Sequence, residues 1–213
     1  PLEFTPAPER WQLIPRAIKR LQEGGPLRVV MLGDSIINDT NNSNFDALLM
    51  RQYPKAKINI VCSVRGSTGC WYYQDDAQLK AYVLDLKPEL LIIGGISHKQ
   101  DLEAIRQVIR KTKAQSDCEI LLMSGPVAAD WRPWDEKNPD QPLPKTTYAG
   151  DPFNAKMKEL AAAEGVEFFD MNTPWHEYLA ASGKPHEWFH RDYVHADDRG
   201  KQILARILER YFA

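Results

Sequence analysis

The stretch Arg28-Val29-Val30-Met31-Leu32-Gly33-Asp34-Ser35 decides the fold. Four apolar residues in a row, without alternation, read as a strand buried on both faces, and such strands belong to parallel sheets covered by helices. The strand ends at a glycine, and Asp34-Ser35 then opens a helix or loop. Three further apolar runs repeat the pattern, at Ile58–Val61, Leu90–Ile93 and Glu119–Met123, with a shorter fifth at Glu167–Asp170. Between and after them lie segments of helical spacing. Gln100–Thr112 carries Leu102, Ile105, Val108 and Ile109, Phe153–Ala163 carries Phe153, Met157 and Leu160, and Arg199–Tyr211 carries Ile203, Leu204, Ile207 and Leu208. Trp11–Leu21 and Trp71–Leu86 are helix-compatible with less regular spacing. Alternating strands and helices predict an α/β protein, a three-layer α/β/α sandwich with about five parallel strands in flavodoxin-like order and right-handed crossovers.

Composition fits this architecture. At about 150 residues per domain, 213 residues predict one domain spanning 1–213, large enough for a core without disulfides or metals. With 27 Lys plus Arg against 29 Asp plus Glu the net charge is −2, which argues against a nucleic-acid partner bound through phosphate neutralisation. No apolar run approaches the ~18 residues of a membrane span. The first residue is Pro1, with neither a Met nor a signal-like segment, which reads as a processed or trimmed product. Cys62, Cys70 and Cys118 form no CxxC pair; small buried thiols are expected, with a Cys62–Cys70 bridge left open. A long loop is expected over 126–152, where Pro126, Pro133, Pro139, Pro142, Pro144 and Pro152 exclude helix and central strand and Trp131 and Trp134 favour an ordered, site-lining course.

Ligands of open α/β sheets bind at the carboxyl ends of the strands. Read in order, those ends carry Gly33-Asp34-Ser35, Arg65-Gly66-Ser67-Thr68-Gly69, Gly94-Gly95-Ile96-Ser97-His98 and Ser124-Gly125-Pro126; further on comes Asp192-Tyr193-Val194-His195. Acyl transfer needs a nucleophile, a base, a group that orients the base, and N–H donors for the oxyanion. Ser35 fits the nucleophile, His195 the general base, and Asp192, three residues earlier, the orienting carboxylate. Alone, Ser35 reads equally as a helix cap and Asp192 with His195 as a surface loop. Together, at opposite ends of an α/β chain, they favour catalysis.

These blocks resemble the SGNH (GDSL) hydrolase family of esterases and lipases. Gly33-Asp34-Ser35 is similar to the family's nucleophile block, and Asp192-Tyr193-Val194-His195 to its closing Asp-x-x-His block. Arg65–Gly69 resembles the block whose last glycine gives an N–H to the oxyanion hole. The resemblance therefore implies oxyanion donors at Ser35, Gly69 and the third-block position, and no metal or organic cofactor. That third block departs from the pattern. The family has Gly-x-Asn, and here Gly95-Ile96-Ser97 puts a serine where the asparagine donates. A serine hydroxyl is shorter and must rotate to donate, and one lost oxyanion donor costs about 3–4 kcal/mol in the transition state. Ser97, His98 or a nearby Asn38 or Asn41 is left to supply the third donor. The resemblance further implies hydrolysis of a small acyl ester through an acyl-serine, with acetylated carbohydrate among the substrates and a secreted or periplasmic location. Asp34, beside the nucleophile, and Trp131 and Trp134 in the loop are the expected substrate contacts. A non-catalytic carbohydrate-binding protein of the same fold and an acyltransferase to an alcohol acceptor are the alternatives; Ser97 favours the first, and retention of Ser35, Asp192 and His195 opposes it.

A rival motif is His186-Glu187-Trp188-Phe189-His190, which fits the H-E-x-x-H pattern of zinc peptidases. That chemistry needs both histidines on one helix face and a third ligand. Gly183 and Pro185 precede the motif and no long apolar-periodic helix surrounds it, so no metal is expected.

Overall fold

The structure, a computed structural model, describes residues 4–126, 151–192 and 194–213. Helix α1 (Pro15–Glu23) leads into β1 (Gly25–Gly33), followed by α2 (Ser35–Asn41), α3 (Phe45–Gln52) and β2 (Ala56–Val64). Then come α4 (Cys70–Tyr73), α5 (Asp76–Tyr82), β3 (Leu90–Ile93), α6 (Leu102–Gln115) and β4 (Glu119–Met123). The chain continues with α7 (Pro152–Glu164), β5 (Glu167–Phe169), α8 (Asn172–Ser182) and α9 (Asp198–Tyr211). The strands form one sheet in the order β2-β1-β3-β4-β5, every neighbouring pair parallel. This is the flavodoxin-like order, with its reversal between β1 and β3.

Strand periodicity divides the core. Leu27, Val29, Met31, Leu90, Ile92, Leu121 and Met123 point to one face and pack with α1, α8 and α9 through Leu21, Trp175, Leu204 and Leu208. The intervening Val30, Leu32, Leu91, Ile93, Ile120 and Leu122 point to the other and pack with α5, α6 and α7 through Leu79, Ile105, Ile109, Met157 and Leu160. Both faces are apolar because both are covered, which is why these strands read as unbroken runs. Each such side chain contributes about 1.5–3 kcal/mol by leaving water. Among the described residues no helix is long and apolar enough to cross a membrane, and Cys62, Cys70 and Cys118 are free thiols.

The element boundaries depart from the sequence expectations where side chains compete for backbone groups. The helix expected over Trp11–Leu21 begins only at Pro15, because the Trp11 and Leu13 N–H groups donate to the Glu167 carboxylate at 2.9 and 3.0 Å. Its own first turn lacks a side-chain cap. The buried Glu119 of β4 serves instead, accepting from Arg16 N at 2.9 Å and Ala17 N at 2.7 Å. The helix expected over Trp71–Leu86 breaks into α4, α5 and a 3-10 turn, because Asp75 accepts from Ala77 N and Gln78 N and restarts the chain as a cap. In the same way Asp101 caps α6 through Ala104 N, so that helix starts at Leu102 rather than Gln100. Most of the loop expected over 126–152, including Trp131 and Trp134, lies outside the described residues.

Candidate active site

Ser35 is the first residue of α2 and is half-exposed at the carboxyl end of β1. At that position its N–H has no intrahelical acceptor, and among the described residues it has no hydrogen bond. Gly69 stands in the same relation to α4, immediately before its first turn, and its N–H is likewise unused. Between these two turns runs the loop after β3. A Cβ on Gly69 would lie 2.4 Å from the Ser97 carbonyl oxygen and 2.8 Å from the His98 Cα, so only glycine lets the start of α4 approach that loop so closely.

Asp34 is the strut of this arrangement. It is 1% exposed. One carboxylate oxygen accepts from Ile36 N at 2.9 Å and caps α2, and the other accepts from Ile96 N and Ser97 N, both at 2.8 Å. Gly95 makes room for it: its φ is +96°, and a Cβ there would meet Asp34 Oδ1 at 2.5 Å. The expectation that Asp34 touches substrate is therefore corrected. Its oxygens are spent on backbone N–H groups and no face of it reaches solvent. Two of the aromatic residues that follow the Gly69 turn, Tyr73 and Trp71, complete the scaffold. The buried Tyr73 hydroxyl donates to Gly33 O at 2.6 Å and accepts from Arg65 N at 3.0 Å, fastening the ends of β1 and β2 together. Burial pushes this phenol well above its usual range. Trp71 Nε1 donates to Ser97 O at 2.8 Å. Ser97 is thus held at its N–H by Asp34 and at its carbonyl by Trp71, with its side chain half-exposed. Of the other candidates for a third donor, Asn38 turns its side-chain oxygen to the Cys62 thiol at 3.8 Å. His98 is buried near Phe153, and that burial pushes its imidazole below the usual range, which keeps it neutral.

The candidate base comes from the segment before α9. His195 Nε2 lies 2.7 Å from Ser35 Oγ, and its Nδ1 lies 2.7 Å from Asp192 Oδ2. The other Asp192 oxygen accepts from Val194 N at 2.9 Å and His195 N at 2.8 Å, so the carboxylate sits inside the turn whose end carries the histidine. Burial works to raise the Asp192 pKa, but the two N–H groups and the imidazole outweigh it and hold the carboxyl below its usual range. A carboxylate at Nδ1 fixes that nitrogen as the N–H donor and leaves Nε2 to accept from the serine hydroxyl. Because the folded-state pKa is depressed, the stabilisation from Asp192 is present above the ordinary carboxylate range and is lost as pH falls through it. Asp192→Asn, which offers an N–H or a neutral oxygen in its place, is expected to lower kcat about 10⁴-fold at neutral pH with the melting temperature little changed. An ester assay with a thermal melt checks this; an unchanged kcat would remove Asp192 from the relay.

The H-E-x-x-H pattern does not lie on one helix. His186–Trp188 form a single 3-10 turn, and His190 pairs with Ala196 in an isolated bridge. Among the described residues no three His, Cys, Asp or Glu side chains converge as a metal would need. Nor does cleft size point to the site. Clefts of about 810 and 770 Å³ lie against α8 and α9, the first beside Trp188 and Arg199, the second beside Phe4 and Phe169, and neither is lined by Ser35, Asp192 or His195.

Residues 31–203 match the model of the GDSL-like lipase/acylhydrolase family. No curated protein matches the sequence significantly. Among solved structures, a two-domain esterase (CEX) active on acetylated mannans, co-crystallised with mannopentaose, is similar at a TM-score of 0.71 and 15% identity over 95% of this chain and 53% of the other. The chain thus spans about half the length of that protein. A catalytic mutant of Axe2, an acetylxylan esterase from Geobacillus stearothermophilus, is similar at a TM-score of 0.65 and 18% identity, covering 88% of this chain and 94% of the other. The acetyl xylan esterase AlAXEase gives 0.61 and 18% over 85% and 98%. At these identities the likeness speaks for the fold.

Proposed function

The chain belongs to the GDSL-like lipase/acylhydrolase family, and on that footing we propose that it hydrolyses a small acyl ester, an acetyl group on a carbohydrate, through an acyl-serine. The observation that carries this reading is the unbroken relay Asp192–His195–Ser35, with 2.7 Å at each side-chain step. Ser35 Oγ attacks the ester carbonyl carbon as its proton passes to His195 Nε2, and Asp192 stabilises the resulting imidazolium. The carbonyl oxygen becomes an oxyanion held by the Ser35 and Gly69 N–H groups, with the Ser97 hydroxyl as third donor. Collapse expels the alcohol, which takes the proton from His195 and leaves Ser35 acylated. A water then attacks the acyl carbon and gives its proton to His195. Second collapse releases the carboxylic acid and returns the proton to Ser35. These steps need only groups the chain supplies.

Two things support a carbohydrate ester. The structural relatives are described as acting on acetylated mannans and xylan. The rim of the site beside Gly69 also presents the half-exposed rings of Trp71 and Tyr72, apolar faces of the kind on which sugars stack. Trp131 and Trp134 are proposed as further substrate contacts. Acetate release from acetylated xylo- and manno-oligosaccharides, measured beside p-nitrophenyl acetate and longer p-nitrophenyl esters, tests this. Acetylated oligosaccharides are expected to be the better substrates and activity to fall with acyl length; turnover of the aryl esters alone would overturn the carbohydrate assignment.

A further inference from the structure

The relay joins two elements 160 residues apart in sequence, and one of them is a loop. Among the described residues between Phe189 and Asp197, regular structure is confined to the single His190–Ala196 bridge. A loop that short on pairing does not by itself hold an imidazole to the fraction of an ångström that proton transfer demands. Arg191, which precedes Asp192, supplies what the bridge lacks. The bridge itself consists of Arg191 N donating to His195 O and Asp197 N donating to Phe189 O, both at 3.0 Å; beyond it, the Arg191 side chain adds a bond from Nη1 to Ala196 O at 3.1 Å, the carbonyl next after the histidine's. The same Nη1 lies 3.0 Å from Asp39 Oδ1. Asp39 sits on α2, one turn beyond Ser35, and is 2% exposed. Among the described residues Arg191 is its only ion-pair partner, and its other oxygen is buried and unpaired.

We propose that Arg191 is a positioning residue: through Asp39 it clamps the loop that carries His195 and Asp192 to the helix that carries Ser35. The proposal rests on the reading that these three act as one relay. Stability does not explain the pair. Burying the Asp39 carboxylate is costly, and an ion pair whose cation, Arg191, stays exposed to water returns little net stability. What the pair adds is a directed link between the two halves of the relay, and a misplacement of about 1 Å at such a site costs about 10²-fold in rate.

The test compares the wild type, Arg191→Met, Arg191→Lys and the double variant Asp39→Leu/Arg191→Met. Arg191→Met alone strands the Asp39 carboxylate without its cation and is expected to lose stability. The double variant removes both charges and is expected to melt within a few degrees of the wild type. It should nonetheless hydrolyse p-nitrophenyl acetate with kcat about 10²-fold lower and KM within about two-fold, while Arg191→Lys recovers part of the loss. A downfield proton resonance of the His195 Nδ1–H is expected in the wild type, from its 2.7 Å approach to Asp192, and is expected to broaden or vanish in the double variant. A folded double variant with wild-type kcat and an unchanged resonance would overturn the proposal, as would a loss of rate that merely follows the unfolded fraction. If the wild type and Ser35→Ala hydrolyse the ester equally, the acyl-serine reading fails instead; the resonance then decides the clamp alone, which stands if the signal is lost in the double variant and falls if it is kept.

Discussion

Ser35→Ala is expected to abolish ester hydrolysis, by about 10⁴-fold or more in kcat, while the protein stays folded. The expectation follows from what the hydroxyl does and does not touch. Its hydrogen bond is to His195 Nε2 at 2.7 Å. The helix it begins is capped by Asp34, and the core behind it is formed by Ile36 and Ile37. Removing one half-exposed hydroxyl leaves the cap and that core in place. It does remove the atom that bonds to the acyl group, and where nucleophile, base and orienting carboxylate act as a unit, loss of the nucleophile costs about as much as loss of all three. Rates with p-nitrophenyl acetate, together with a circular dichroism melt, check both halves. Activity that survives with the fold intact would contradict the role given to Ser35.

Asp34→Ala is expected to act on the fold. The substitution unpairs three backbone N–H groups, those of Ile36, Ile96 and Ser97, which now reach a buried carboxylate at 2.8–2.9 Å. Bonds to a charged acceptor are worth about 1.5–3 kcal/mol each, and an unsatisfied buried donor is itself costly, so a loss of about 3–5 kcal/mol is expected after relaxation. In a chain of this size each kcal/mol moves the melting temperature by about 2–4 °C, so a fall of about 6–20 °C should be seen. Asp34→Asn should cost nearly as much, because whichever way the amide turns its NH₂ faces an N–H. A substrate contact would behave differently, raising KM and leaving the melting temperature alone; that outcome would restore the role expected from sequence.

The contrast between Ser35 and Asp34 shows what the sequence made legible. Strands buried on both faces leave a one-dimensional trace, so β3 and β4 were delimited to the residue at Leu90–Ile93 and Glu119–Met123. Ser35, Gly69, Ser97 and the Asp192–His195 turn were singled out because a parallel sheet gathers its ligand-binding residues at its carboxyl edge, and the structure brings Ser35, His195 and Asp192 within hydrogen-bond reach there. Periodicity and motif carry no sign of which way a polar side chain faces. Asp34 turns inward, and Glu119 and Glu167, at the starts of buried strands, act as caps for a segment more than 100 residues away. Arg191 and Asp39 are 152 residues apart and belong to no motif that would pair them. Helix α8 was legible only as a helical patch without bounds between the fifth strand and Asp192, for a simpler reason. It is wedged against the core by Trp175 and Leu179, with the polar Asn172 and His176 also buried, so no clean apolar stripe marks it.

The most direct measurement is covalent. A fluorophosphonate reacts with a serine only where a base has activated it and N–H donors hold the phosphoryl oxygen, the same geometry that an acyl-serine requires. The relay predicts a single adduct by intact mass, located by peptide mapping to Ser35, absent from Ser35→Ala and strongly slowed in His195→Ala. No adduct on the folded wild type, or one mapped to another residue while ester hydrolysis is lost, would contradict it.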